Sequence, residues 1–261
     1  MGMARYNRAM QCIDTHCHIH DTEFYHDSRE EVYQESRSAG VVMLCVGTDT
    51  RSSREAVEFA HAHEGCYAVV GIHPHEAKDN AVDDIRALLQ AHRHDIVGIG
   101  EIGLDYFYEH SPRQVQQQLL REQLLLATEL NVPVSFHVRD AFDDFWPIFD
   151  EFTGVRGVMH SFTDTQENLE KSLARGLYIG VNGISTFTKD EAQLKLFSNL
   201  PLENVVLETD APFLTPKPFR GKMNTPAYVE LVVQHQAALK GVSPDEVARQ
   251  TTANARELFG I

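Results

Sequence analysis

IVGIGEIGLD, residues 96–105, is a nearly continuous apolar run. Such a strand is buried on both faces, as happens when helices cover a parallel sheet. Glu101, set between glycines in that run, is hard to explain as part of a solvated face. Seven further runs behave as strands: QCIDTHCH (11–18), VVMLCVG (41–47), CYAVVGIHP (66–74), VPVSFHVR (132–139), RGVMHSF (156–162), LYIGVNG (177–183) and NVVLETDAP (204–212). Helical patterns separate them, among them 28–40, 52–65, 83–95, 113–131 and 165–176. Ser28 with Glu31 three residues on makes a capping-box pattern. Gly40, Gly65 and Gly176 stand where helices would stop. About eight βα units in a chain near the roughly 250 residues of that fold predict an α/β protein, a single-domain (β/α)8 TIM barrel. The alternative, an open doubly wound sheet, would usually place a Gly-rich turn after its first strand, and DTHCHIH is not one.

The 261 residues fit one large domain or two small ones. A hydrophobic share of 43% is ample for one core and argues against disorder. No stretch approaches the roughly 20 apolar residues of a membrane helix. MGMARYNRAM lacks the apolar run of a signal peptide, so a cytoplasmic chain is expected, with residues 1–10 a loose N-terminal tail. A monomer is favoured. The four cysteines form no CxxC pair and read as reduced thiols. A net charge of −15 argues against a bulk electrostatic grip on long nucleic acid, although bound cations could reverse the sign locally.

Unusual polar residues recur where the strands end. The first strand carries His16 and His18, the third ends in His73 and His75, and the fourth holds Glu101 and Asp105. The fifth carries His137 and Arg139, the sixth His160, and the eighth Glu208 and Asp210. In a barrel those ends converge on one mouth, where the active site lies. On an extended strand Asp14, His16, His18 and His20 would share one face, with Cys17 pointing the other way. Imidazoles and carboxylates aimed at one place suit a metal site, and there are more of them than one tetrahedral ion uses. Two ions bridged by a carboxylate would account for the number.

In order and spacing, DTHCH, GIHPH, GEIGLD, FHVRDA, HSF and LETDAPFLTPKPFRGKMNTPAYV resemble the TatD-type metal-dependent deoxyribonucleases of the amidohydrolase-like barrel superfamily. The resemblance covers residues 12 to about 260. It implies that His16 and His18 ligate a first ion with Glu101 and Asp210, that Glu101 bridges, and that His137 and His160 ligate a second. The ions would be Mg2+, Mn2+ or Zn2+. Asp210 and Glu101 would be the catalytic carboxylates, with Asp210 taking a proton from water. His73 and His75 resemble groups that either support the metal ligands or contact substrate, and Arg139 resembles an arginine near the phosphate, although it could instead pair with Asp140 or Asp143. Arg220 and Lys222, after the eighth strand, would add positive charge. Relatives often read HCFSG where this chain reads HSFTD, which places Asp164 near the rim. No lysine is available at the fourth or fifth strand to form a carbamate bridge.

The expected function is a two-metal phosphodiesterase acting on DNA, an exonuclease preferring single-stranded ends. The rivals are a hydrolase of a small phosphoester, an amide or an aminoacyl ester of tRNA, and a binding module with a structural metal. Two divalent ions bring about four positive charges. Glu101 and Asp210 would cancel two and Arg139 add one, leaving a locally positive mouth.

Overall fold

The computed structural model describes residues 11–261, so the N-terminal tail expected at 1–10 lies outside the described residues. The chain runs through β1 (Cys12–Cys17), α1 (Thr22–Tyr25), α2 (Arg29–Ser38), β2 (Val41–Val46), α3 (Thr50–Ala62), β3 (Cys66–Val70), α4 (Val82–Ala91) and β4 (Ile96–Asp105). It continues with α5 (Arg113–Leu130), β5 (Val134–Arg139), α6 (Phe142–Phe149), β6 (Gly157–Met159), α7 (Gln166–Ala174), β7 (Tyr178–Val181), α8 (Ile184–Phe187) and α9 (Glu191–Asn199). β8 (Val205–Leu207), α10 (Val229–Lys240) and α11 (Pro244–Phe259) complete it. All eight strands coincide with the apolar runs expected from the sequence.

The strands pair in parallel in sequential order from β1 to β8. The sheet closes where β8 returns to β1: the Asp210 amide donates to the His16 carbonyl at 2.9 Å, and the His18 amide donates to Ala211 at 2.8 Å. The result is a (β/α)8 barrel, with helices covering the strands outside. α11 covers the end where strands begin, packing Ala255, Leu258 and Phe259 against Ile13, Leu44, Val69, Val158 and Val206. The other end, where the strands finish, is left for the site.

Two local expectations fail. Ser28 precedes α2 but makes no side-chain cap. A 3-10 turn over His26–Ser28 leads into the helix, and the Ser28 hydroxyl turns back to donate to the Tyr25 carbonyl at 2.6 Å. The common face of Asp14, His16, His18 and His20 is also broken, because β1 shifts register between Asp14 and Cys17 and ends at Cys17. All four cysteines are free and buried. Among the described residues no helix is long and apolar enough to cross a membrane.

Candidate metal centre

The two strands that deliver the central groups are both irregular there. β1 shifts register between Asp14 and Cys17, around His16, and β4 shifts between Ile99 and Ile102, around Glu101. Such bulges re-aim a side chain at a barrel rim. Gly103 lets β4 pass close to β5: a Cβ there would run into the His137 carbonyl oxygen.

Glu101 is the hub. Its Oε2 lies 3.5 Å from His16 Nε2. Its Oε1 lies 2.8 Å from His137 Nδ1 and 3.8 Å from both His73 Nε2 and His160 Nε2. Asp210 stands beside it, with Oδ1 3.4 Å from His18 Nε2 and 3.9 Å from His16 and His160. The His16 and His160 rings stack at 3.5 Å.

Each ring is oriented from behind. His18 Nδ1 donates to the Val46 carbonyl at 2.8 Å, which leaves the Nε2 lone pair facing Asp210. His160 Nδ1 lies 3.0 Å from Glu208 Oε1. Glu208, fully buried, also accepts from the Ser161 amide at 2.7 Å. His16 Nδ1 meets the Ser135 hydroxyl at 3.4 Å. His16 Nε2 is buried and has no hydrogen-bond partner, although it points among carboxylates. A buried imidazole nitrogen left unpaired is costly unless something binds its lone pair. These donors fit a divalent cation: His16 forms one close triad with His18 and Glu101 and another with His160 and Asp210, nitrogen and oxygen together.

The remaining histidines differ. His137 is held by Glu101 at Nδ1 and by Asp105 at Nε2, 2.9 Å away. Burial alone would lower its pKa, but the two carboxylates outweigh it and raise it to about 9. His160 rises to about 10 as Glu208 and Glu101 outweigh its burial. Glu101 is itself held well below the usual carboxylate range, its burial outweighed by His73 and His16. Asp210 is lowered too, burial again being outweighed, chiefly by His18 and His160. His137 and His160, expected at one ion, fall into different groups: His137 with His73 and Glu101, His160 with His16 and Asp210. Both still meet at Glu101 Oε1.

His73 Nδ1 accepts the His75 amide at 3.1 Å, so its Nε2 carries the hydrogen and offers Glu101 a donor, not a lone pair. His75 Nε2 lies 3.1 Å from Asp105 Oδ2. Arg139 pairs with neither Asp140 nor Asp143. Its guanidinium stacks on Phe107 at 3.9 Å and lies 5.0 Å from the Tyr108 ring. A polar cleft between β5 and β6 is lined by Arg139, Asp140, His160, Thr163 and Asp164, which puts Asp164 at the rim as expected. Arg220 donates to the Thr215 carbonyl and stacks on Phe187, and Lys222 lies over Phe219, so both engage the loop after β8 and its neighbours.

His20 lies apart, its Nε2 on the Ser52 hydroxyl at 3.1 Å. Asp14 turns to the β8 end instead, accepting from the Thr209 hydroxyl at 2.6 Å and from the His16 amide at 3.2 Å. The sequence reading gave no role to Asp105 or Glu208. Their signal was position: Asp105 shares the β4 face of Glu101 four residues on, and Glu208 directly follows β8, two residues before Asp210.

Residues 13–260 match the family described as TatD related DNase. The chain belongs to the TatD family of metal-dependent hydrolases. It is 36% identical to the uncharacterized metal-dependent hydrolase YabD of Bacillus subtilis, over 95% of this chain and 99% of that protein. It is 35% identical to the 3'-5' ssDNA/RNA exonuclease TatD of Pantoea ananatis, again over 95% and 99%. The crystal structure of YJJV, a TatD homolog from Escherichia coli, superposes with a TM-score of 0.89 at 28% identity, covering 97% of this chain and 99% of that one. The family and the barrel fold thus agree with the resemblance in the sequence.

Proposed function

We propose that this TatD-family hydrolase is a two-metal phosphodiesterase that removes nucleotides from DNA ends and prefers single strands. The observation that carries the reading is one shared carboxylate. Imidazoles from four other strand ends approach Glu101, at both of its oxygens. His16, His18, Glu101 and Asp210 would hold one ion, and His137, His160 and Glu101 the other. Two divalent ions, Mg2+, Mn2+ or Zn2+, would supply positive charge at the attacking and leaving oxygens and make water acidic enough to react near neutral pH.

The protein's own groups do the rest. The Asp210 side chain is 16% exposed against 7% for Glu101, so Asp210 is the carboxylate that water reaches and that takes its proton. Glu101 stays ionised and would offer one oxygen toward each cation site. Glu208 and Val46 hold the rings of His160 and His18 in place. Arg139, on the rim, presents a planar fork to phosphate oxygens. Arg220 and Lys222 add charge from the loop after β8. His73 orients Glu101 from behind, and His75, beside Asp105, is the more exposed of the two and faces the substrate. The printed name of the Pantoea relative supports a nucleic-acid strand as substrate.

The test removes metal with a chelator, verifies folding by circular dichroism, and returns metals singly. Labelled single-stranded and duplex DNA are assayed beside a panel of small esters. Activity should vanish without metal, return with a divalent ion, and favour the single strand. Full activity in the chelated protein would end the two-metal reading. Turnover of a small ester without DNA cleavage would move the chain to another hydrolase on the same frame.

A further inference from the structure

Seven large hydrophobic side chains are exposed among the described residues, and five of them follow the C-terminal ends of β1, β4 and β8. They are Phe24, Phe107, Tyr108, Phe213 and Met223. Singly scattered apolar groups mean little, but these gather on the rim of one mouth. Phe107 and Tyr108 stand edge to face at 4.7 Å, and the Tyr108 ring contacts His75 at 5.6 Å. On the other side, Phe24 and Phe213 stand edge to face at 5.0 Å, and Phe213 lies 6.2 Å from His18. In an eight-stranded barrel β4 faces β8, so the two pairs oppose each other across the metal centre. Each pair touches a histidine of the centre.

Resting on the phosphodiesterase reading, we propose that the two aromatic pairs are stacking platforms for unpaired nucleobases on either side of the scissile phosphate. Charge selects this occupant. Arg139 covers one face of Phe107 at 3.9 Å and lies 5.0 Å from Tyr108, and the loop that carries Phe213 also carries Arg220, over Phe187, and Lys222, over Phe219. A flat π face beside a cation matches a base beside its phosphate. The chain carries a net charge of −15, so the rim must supply the grip on a polyanion that the remaining surface repels. Stacking needs a base face that a duplex keeps covered, and every base has one. The platforms therefore favour single strands with little regard to sequence.

The test compares an oligothymidylate with a strand of equal length whose three residues at each end are abasic. In the wild-type protein the abasic strand should show a KM about 5- to 100-fold higher. The double variant Phe107→Ala, Tyr108→Ala should bring that ratio toward one. Phe107→Leu with Tyr108→Leu should do the same, since leucine keeps apolar area but loses the π face. Fluorescence anisotropy of the same strands in chelator gives an independent reading without catalysis. Absence of cleavage of either strand would refute the phosphodiesterase reading while anisotropy still decides the platforms. Equal binding of both strands by wild type, or leucine variants that keep the wild-type ratio, would overturn the platforms. So would a wild-type dimer in sedimentation that the alanine variant abolishes, because the rim would then be an interface between copies.

Discussion

Glu101 and His73 lie 3.8 Å apart, yet their substitution should have very different consequences. Among the described residues Glu101 is the one group within reach of His16, His73, His137 and His160 together, and an amide in its place would carry no charge for any cation. His73 is neutral, because burial and the neighbouring His137 press its pKa well below the ordinary value. With Nδ1 accepting from His75, it can only orient Glu101 through Nε2–H. Removing such an orienting group typically costs 10- to 100-fold in activity or metal affinity. Glu101→Gln should therefore lose more than about 100-fold in kcat/KM, and His73→Ala less. Steady-state assays of both variants at saturating metal check the order, and a near-wild-type Glu101→Gln would remove the bridging assignment. The clustered histidines and carboxylates were legible in the sequence because they lie in or just after apolar strands, Glu101 within β4 and the others near strand ends. The partners that orient them were harder to read. The Val46 carbonyl has no side-chain signature at all, and Asp14 looked like a member of the cluster until the β1 bulge turned it toward Thr209.

The strands were legible and some helices were not, for a physical reason. A strand buried on both faces needs only an apolar run, and all eight supplied one. α6, FDDFWPIF, does bury one face, Phe142, Phe145, Trp146 and Phe149, and exposes Asp143, Asp144 and Pro147, but it is only eight residues long and contains Pro147, too short a pattern to mark a helix. Irregularities within strands were also invisible, since nothing in a sequence records which residue a neighbouring strand skips. Glycines give partial access to them. Gly103 and Gly176 both have positive φ, at 152° and 71°. Nothing would meet a Cβ at Gly176 within 4 Å, whereas at Gly103 it would strike the β5 backbone. Gly176→Ala should cost about 1–2 kcal/mol, the strain of a left-handed alanine. Gly103→Ala should cost about 1–3 kcal/mol more, through overpacking between the strands that carry Glu101 and His137. Urea denaturation of both variants measures the difference, and equal midpoints would mean that β4 yields there without penalty.

Charge summed over the molecule constrains how a strand can approach. Counting only Glu101 and Asp210 leaves a positive mouth once two divalent ions are bound. The structure adds Asp105 and Glu208 directly behind the histidines, and four carboxylates cancel about four metal charges. The attraction for phosphate then falls to Arg139, Arg220 and Lys222 on the rim, within a chain whose 38 acids outnumber its 23 lysines and arginines. Screening limits that attraction to roughly 8 Å at physiological salt. A duplex, with one charge per ~1.7 Å of axis, would lay much of its length along an acidic exterior. A free end can enter the mouth alone, whereas an internal bond must be drawn out of its stack at a cost on the order of a few kcal/mol. Cleavage should therefore begin at ends. A covalently closed single-stranded circle should persist under conditions that degrade its linear counterpart to mononucleotides, followed by gel electrophoresis of end- and body-labelled strands. If the circle is cut as fast as the linear strand, the mouth accepts internal bonds and the enzyme is an endonuclease.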